Sequence, residues 1–216
     1  MAKPGIVDVD IKIDDDLAAT AGQAEMASAV RYLIQAATAI DAPATVLRRL
    51  ARSVHALADE MAPLPRCDCD VFPVHHLTSY YSAVGGMLNP LLPILKLEPD
   101  PEDPLKLRGR IHPSFNYRGP PGTVHGGIVA AIHDQLVASA TRLHGHIAAT
   151  AALKVNYRLP TPIDQPLELS AWVERRDGRK LSVRSICEHD GRITSDSEAL
   201  LIMVDANSLG KKARGD

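Results

Sequence analysis

The sequence predicts an α+β fold in which one antiparallel β-sheet wraps around a single long central helix, with a helical extension at the N-terminus. Three observations carry this prediction: an apolar helical segment begins near Gly126, two short β-segments precede it, and four more follow it. A sheet of this kind must bury one face, and the long apolar helix is the element that can cover that face.

Length and charge restrict the classes of protein that this chain can represent. Its 216 residues suffice for one domain of ordinary size with an extension, and 45% of them are hydrophobic. Lys and Arg number 24 against 26 Asp and Glu, so the charge balance gives no support for nucleic acid as a partner. No apolar run approaches the ~18 residues of a membrane-spanning helix, and residues 1–5 lack the apolar core of a signal peptide. We therefore expect a cytoplasmic protein without a membrane partner.

Residues 1–65 are predicted to form the helical extension. Apolar residues recur at helical spacing in two stretches, and Asp41-Ala42-Pro43 between them resembles an N-cap followed by proline in the first turn. The second stretch has an amphipathic stripe at spacings of three, four, three and four residues, formed by Leu47, Leu50, Val54, Leu57 and Met61. A helical hairpin packed on the main domain is the favoured interpretation, and a separate partner-binding module is the alternative.

Residues 66–90 are predicted to be an irregular connection. They contain Cys67-Asp68-Cys69-Asp70 and His75-His76, residue types that zinc binds. However, C-x-C is not the usual spacing of a zinc site, and no second cysteine pair follows. The chain has 3 cysteines, too few for a disulfide framework. We therefore predict no metal site.

Residues 91–206 are predicted to form the sheet and its central helix. Two β-segments, 94–98 and 105–111, flank a proline-rich turn, and a long loop leads from them to the helix, which Gly145 ends. Four alternating β-segments follow, and the Asp177-Gly178 and Asp190-Gly191 pairs join the last three of them as hairpins. Residues 207–216 are expected to be a flexible tail.

The central helix carries the clearest sign of chemistry. His125-Gly126-Gly127 opens it, and Asp134 stands inside it, where an aspartate lowers helix propensity and risks burying a charge. Glycines leave the backbone open to approach, and free N–H groups at a helix start can stabilise an oxyanion. Such a helix start together with a carboxylate base is typical of an acyl-transfer site.

The spacing of the two groups predicts a site that is shared between subunits. Asp134 follows Gly127 by seven residues, which is about 10 Å along a helix axis. One carbonyl group cannot contact both of them in a single straight helix. Small residues on the same side of the helix would let a second copy pack against it antiparallel: Ala130, Ala131 and Ala138. We therefore expect a two-fold homodimer with paired active sites.

These residues resemble the hotdog-fold acyl-CoA thioesterases of the PaaI type. The resemblance covers about residues 90–206 and rests on the run from Gly119 to Gly127, on Asp134, and on the segment from Thr150 to Arg158. It implies hydrolysis of acyl-CoA thioesters to free acid and CoA, with no cofactor and no metal. It also implies a dimer, or a dimer of dimers, in which Asp134 reaches Gly127 of the opposite subunit.

The resemblance assigns roles to single residues. Asp134 would be the general base, or the nucleophile, that attacks the thioester carbonyl. The N–H of Gly127 would bind the oxyanion, and His125 would shape or polarise the same part of the site. Thr150 matches a position that holds the attacking water in related enzymes, and Asn89 lies in a segment from which some members draw a polar contact to substrate.

Structural interpretations stay open beside these roles. Gly126, a candidate substrate contact, and its neighbour Gly127 could simply permit tight helix packing. Thr150 could be an ordinary strand threonine, and Asn89 could cap a turn before Pro90.

Three further residues are weighed from position alone. Lys154 and Arg158 are predicted to share one face of a strand with Thr150, where they could bind CoA phosphates or simply be solvated. His133 directly precedes Asp134 and points about 100° away round the helix, so it is not expected to be a second base.

Two rival functions are considered. A hotdog domain that binds acyl-CoA without catalysis, as a sensor or regulatory module, is the main alternative, but such a binder has no use for the base Asp134. An enoyl-CoA hydratase places Asp and His in a D-x-N-P-x-H-like run, which Met87-Leu88-Asn89-Pro90 lacks. The acyl group, and the choice between CoA and a carrier protein, cannot be read from the sequence.

Overall fold

The computed structural model describes residues 18–65 and 82–204. The metal prediction for Cys67, Cys69, His75 and His76 and the predicted tail at 207–216 lie outside these ranges. Two helices come first, α1 (Ala18–Ala39) and α2 (Ala44–Met61). They are followed by strands β1 (Lys96–Pro99) and β2 (Lys106–Ile111) and by a short 3-10 helix, Phe115–Tyr117.

The long helix α3 spans Gly126–Leu143, and four strands follow it: β3 (Ala148–Tyr157), β4 (Leu167–Asp177), β5 (Lys180–His189) and β6 (Arg192–Met203). All neighbouring strands are antiparallel, in the order β1-β2-β4-β5-β6-β3. The predicted order of two strands, one long helix and four strands is confirmed. The turn between β5 and β6 has positive φ at both Asp190 (49°) and Gly191 (70°), as the Asp-Gly pair predicts.

The core lies between α3 and one face of the sheet. Leu136, Val137 and Ala140 of α3 are fully buried. Alternate residues of the strands meet them, including Leu107, Leu169, Ala171, Leu181, Val183 and Leu201. Because burying one Leu or Val side chain contributes roughly 1.5–3 kcal/mol, this contact fixes how α3 sits on the sheet.

A bulge in β3 changes which of its residues share a face. The pairing with β6 shifts between Thr150 and Ala152, which inserts one extra residue, Ala151, into β3. Side chains before the bulge therefore alternate in the opposite phase to those after it.

The prediction that Thr150 shares a face with Lys154 and Arg158 is wrong for this reason. Thr150 pairs with Leu201, whose side chain is in the core, so Thr150 is on the face that α3 covers. Lys154 pairs with Glu198 on the outer face of the sheet, and both side chains are exposed.

The two N-terminal helices differ in how they contact the rest of the chain. Ala27 of α1 is buried, and Nη2 of Arg31 lies within hydrogen-bond distance of the carbonyl oxygens of Gly86 (3.0 Å), Met87 (2.8 Å) and Asn89 (2.7 Å). In contrast, α2 buries none of its residues. Within residues 18–65 and 82–204, contacts with the part of the chain that follows are therefore found for α1, whereas α2 stays exposed.

Candidate active site

The first turn of α3 is capped by the residue that precedes it. His125 is the N-cap, and its Nδ1 accepts a hydrogen bond from the N–H of Gly127 at 3.0 Å. Its carbonyl oxygen accepts from the N–H groups of Ile128 (2.9 Å) and Val129 (3.1 Å). Early helix N–H groups have no partner within the helix, so a side-chain acceptor here is favourable. The N–H of Gly127, expected to be free, is therefore engaged by His125.

The side chains of Tyr157 and His125 lie against the two glycines, and only at Gly127 would a Cβ be crowded. The hydroxyl of Tyr157 donates to the carbonyl oxygen of Gly126 at 2.9 Å, and a Cβ on Gly126 would lie 3.6 Å from the tyrosine ring. A Cβ on Gly127 would lie 3.2 Å from Nδ1 of His125. The end of β3 is thus tied to the start of α3. Sequence reasoning missed Tyr157, because nothing local shows that these two segments meet.

Asp134 is exposed, whereas its neighbour His133 is one of four buried polar residues of α3, with Gln135, Ser139 and Thr141. The expectation that Asp134 risks burial therefore does not hold within a single chain. Gly127 is exposed as well, and Ala130, Ala131 and Ala138 are half-buried. The helix thus offers solvent a surface of small residues with one carboxylate.

His133 joins α3 to two strands. Its Nδ1 lies 2.7 Å from Oγ of Ser185 on β5, and its Nε2 lies 2.8 Å from Oγ of Ser195 on β6. Ser185 is in turn 2.6 Å from Oγ of Ser197. Burial lowers the pKa of His133 from 6.5 to about 4, and the nearby charge of Asp196 opposes this only in part. The ring is therefore neutral at pH 7, with one nitrogen donating and the other accepting.

Thr150 and Asn89 stand in different settings. Thr150 is exposed at the bulge of β3, on the side of the sheet that α3 covers. Oδ1 of Asn89 accepts the N–H of Leu91 at 3.0 Å, so this side chain closes the turn around Pro90. The turn-capping interpretation of Asn89 thus describes its hydrogen bond, and its contact with substrate stays a prediction.

Lys154 and Arg158 are not brought together with Asp134 and Thr150. Nε of Arg158 lies 2.5 Å from Oδ2 of Asp196, on the outer face of the sheet. The hydrogen bond from Arg158 lowers the pKa of Asp196 and raises that of Arg158. Binding of a CoA phosphate by Arg158 would therefore compete with an existing ion pair.

Two further observations concern the described ranges only. Within residues 18–65 and 82–204, no three His, Cys, Asp or Glu side chains are placed so that they could hold a metal ion. In the same part of the chain, no helix combines the length and hydropathy needed to cross a membrane.

Comparison with known proteins identifies the fold. Residues 121–191 match the profile of the Thioesterase superfamily. The crystal structure of protein RHA08564, a thioesterase superfamily protein, matches with a TM-score of 0.75 and 27% sequence identity, over 83% of this chain and 94% of that one. The chain has the hotdog fold. A match over 83% of the chain extends beyond the hotdog domain into the N-terminal third.

Curated sequence relatives match over a shorter stretch of the chain. Acyl-coenzyme A thioesterase THEM4 of Bos taurus is 32% identical over 92 residues, which are 41% of this chain and 37% of that protein. The Mus musculus protein of the same name is 32% identical over 90 residues, or 42% of this chain and 39% of that protein. The chain therefore spans less than half the length of these curated relatives.

Proposed function

We propose that this chain hydrolyses acyl-CoA thioesters to a free acid and CoA. One observation carries the proposal: Asp134 is exposed on the same long helix whose start presents His125, Gly126 and Gly127. The match of residues 121–191 to the Thioesterase superfamily, and the activity named for the THEM4 relatives, support it.

The chemistry requires a base and an oxyanion donor. In the general-base route, Asp134 takes a proton from water as the water oxygen adds to the thioester carbonyl. The carbonyl oxygen becomes an oxyanion, which the N–H of Gly127 stabilises once Nδ1 of His125 gives up that hydrogen bond. The oxyanion collapses, the carbon–sulfur bond breaks, and the CoA sulfur takes the proton that Asp134 removed from water. In the nucleophilic route, the Asp134 carboxylate displaces CoA to give a mixed anhydride, which a water molecule then hydrolyses to the free acid and the regenerated carboxylate. General base catalysis contributes about 10²–10⁴-fold and one oxyanion donor about 10²–10³-fold.

We infer that the site is shared between two copies of the chain. Gly127 and Asp134 lie two turns apart on α3, too far for one carbonyl group to reach both. Among the described strands β3 pairs with β6 alone, so its second edge has no strand beside it. An unprotected edge of this length favours pairing with another chain. A two-fold homodimer, or a dimer of two such dimers, brings Asp134 of one copy to Gly127 of the other.

The remaining site residues complete the proposal. Thr150 is on the free edge strand and faces the side of α3, where it would hold the attacking water. Gly126 and Asn89 would contact the substrate, and Lys154 and Arg158 would bind the CoA phosphates from the outer face of the sheet. No cofactor takes part. The PaaI subtype and the cytoplasmic location stay predictions.

The test is release of CoA from short-, medium- and long-chain acyl-CoA and phenylacetyl-CoA by the wild type and by Asp134→Asn. We expect turnover of at least one ester by the wild type and a loss of about 10²-fold or more in the variant. Asp164→Asn is the matched control, because Asp164 is an exposed loop aspartate with φ of 56° that asparagine also adopts. No turnover, with equal binding by all three proteins, would indicate a non-catalytic acyl-CoA-binding domain instead.

A further inference from the structure

Helix α2 presents an apolar surface that no described residue covers. The surface, called here the α2 stripe, consists of Leu47, Leu50, Val54 and Leu57, each 37% to 44% exposed, together with Met61. Most of the stability of a helix in a protein comes from packing of its amphipathic face. Within residues 18–65 and 82–204 nothing covers the α2 stripe, which makes it a candidate surface for a partner.

The charges of α2 are placed against its own dipole. Arg48, Arg49 and Arg52 lie in its first half, whereas Asp59 and Glu60 lie at its end, and it has no acidic residue in the first turn and no basic residue in the last. The C-terminal end of a helix dipole is negative, so Asp59 and Glu60 in the last turn are unfavourable in the isolated helix. An antiparallel second α2 reverses this situation, because its acidic end lies beside the basic half of the first helix.

The flanks of the α2 stripe carry the same complementarity. Arg49 and Glu60 are eleven residues apart, which places them within about 20° of each other round the helix. Antiparallel pairing about a two-fold axis brings this flank of one helix against the same flank of the other. Arg49 then lies near Glu60 of the second copy, and symmetry provides the contact twice. In a parallel pair each flank would face the other flank of the second helix, and Arg49 would not meet Glu60.

We propose that the α2 stripe binds the α2 stripe of a second copy of this chain, with the two helices antiparallel. A helix pair of this length buries less than the ~800 Å² per partner of a standard stable interface. The pairing therefore adds to another contact between the copies instead of acting alone. The proposal does not rest on the proposed enzymatic function.

The first experiment measures self-association of the full chain by sedimentation equilibrium over a dilution series. Leu50→Lys combined with Leu57→Lys is expected to weaken association about tenfold or more, as removal of central apolar contacts does. His55→Gln, an exposed position on the side of α2 away from the stripe, is the control and leaves it unchanged. Because α2 buries no residue, the unfolding midpoint of the hotdog domain stays the same in both variants. Equal association of all proteins, or a wild type that is monomeric throughout, would overturn the proposal.

A charge exchange tests the antiparallel arrangement at low ionic strength, where flanking charges are least screened. Arg49→Glu alone and Glu60→Arg alone each weaken association, although each improves the match to the helix's own dipole. The two changes in one chain restore it, because the ion pair across the interface is rebuilt with reversed polarity. If the double variant associates no better than the single ones, α2 does not pair antiparallel with itself.

Discussion

The imidazole of His125 and the backbone N–H of Gly127 share a 3.0 Å hydrogen bond at the first turn of α3. The same N–H is the donor proposed for the thioester oxyanion. If the proposed function holds, a ring nitrogen and a substrate oxygen compete for one hydrogen, and His125 turns aside when the substrate carbonyl enters. The proposal therefore makes the residue that caps the helix in the free chain also the residue that substrate displaces.

Replacing His125 by alanine or asparagine tests whether its side chain stabilises α3 as a hydrogen-bond acceptor. His125→Ala removes the side-chain acceptor and is expected to lower the free energy of unfolding by about 1 kcal/mol. Asparagine is among the best N-cap residues, so His125→Asn is expected to keep most of that stability. Urea unfolding of the three proteins measures the difference. Equal losses in the two variants would mean that the bond to Gly127 contributes nothing to stability.

Gly127→Ala tests whether the start of α3 can accept a side chain at this position and remain active. The new Cβ would meet Nδ1 and Cε1 of His125 at 3.2 and 3.3 Å, so the ring must shift. Alanine favours a helix by about 1 kcal/mol over glycine, which offsets the lost cap, and we expect little change in unfolding. We expect turnover to fall at least about tenfold, because a methyl group stands beside the oxyanion donor.

Gly22→Ala is the matched control for Gly127→Ala. Gly22 is also in a helix, and nothing lies within 4 Å of the Cβ that alanine would add there. This variant should be slightly more stable and fully active. If Gly127→Ala is as active as Gly22→Ala, the N–H of Gly127 is not at the reacting carbonyl.

The order of helices and strands was predictable, because each segment carries its own periodicity. Which residues of β3 face α3 was not predictable. Residues 148–152 read Ala-Ala-Thr-Ala-Ala. A strand phase is read from the contrast between apolar and polar positions, and this stretch offers almost none. The bulge falls exactly in it, after Thr150. The face of Thr150 could therefore be known only from its pairing with Leu201.

The residues of the candidate site could be predicted from the sequence, but the contacts that hold α3 against the sheet could not. Asp134 drew attention as a charge in an apolar helix, yet His133 is the buried group. A signal for this existed, because His133 lies four residues after Val129 and four before Val137, both buried. Its hydroxyl partners carry no such signal, since a serine within a strand is ordinary until the opposite helix is placed.

Removing one of those hydroxyls tests the contact between α3 and the sheet. Ser185→Ala leaves the Nδ1 of His133 without its partner in a buried setting, and we expect a loss of about 1–3 kcal/mol in the free energy of unfolding. Ser182→Ala, a half-buried position on the same strand, should change it by less than about 0.5 kcal/mol. Urea denaturation measures both, and equal small effects would show that the buried bond adds no stability.

Lys154→Gln tests the proposed phosphate contact. The side chain is exposed on the outer face of β3, opposite Glu198. We expect KM for an acyl-CoA to rise with kcat unchanged, because a charge far from the reacting carbonyl contributes uniform binding. An acyl-pantetheine thioester, which lacks the nucleotide phosphates, should show no such rise. Lys180→Gln, on β5, is the control. A fall in kcat, or equal effects on both esters, would contradict the assignment.

The buried neutral state of His133 makes stability depend on pH. Its pKa is about 4 in the folded chain against 6.5 ordinarily, so below pH 6.5 the unfolded chain binds a proton that the folded chain does not. Stability from this group is fully present above pH 6.5 and is lost as the pH falls towards 4. The full loss is about 3 kcal/mol, and its steepest slope is about 1.2 kcal/mol per pH unit.

His133→Leu isolates this dependence, because the variant has no imidazole to titrate at that position. The variant is less stable at pH 7, since Ser185 and Ser195 lose their contact with His133, but its stability should fall less steeply between pH 6.5 and 4.5 than that of the wild type.

His55→Gln replaces an exposed histidine on α2 and is the control for this comparison. The slopes come from urea unfolding at several pH values, so the lower starting stability of His133→Leu does not affect the comparison. Identical slopes in the wild type and His133→Leu would mean that His133 is not held neutral by burial, and the acid sensitivity would then belong to the carboxylates, Asp196 among them.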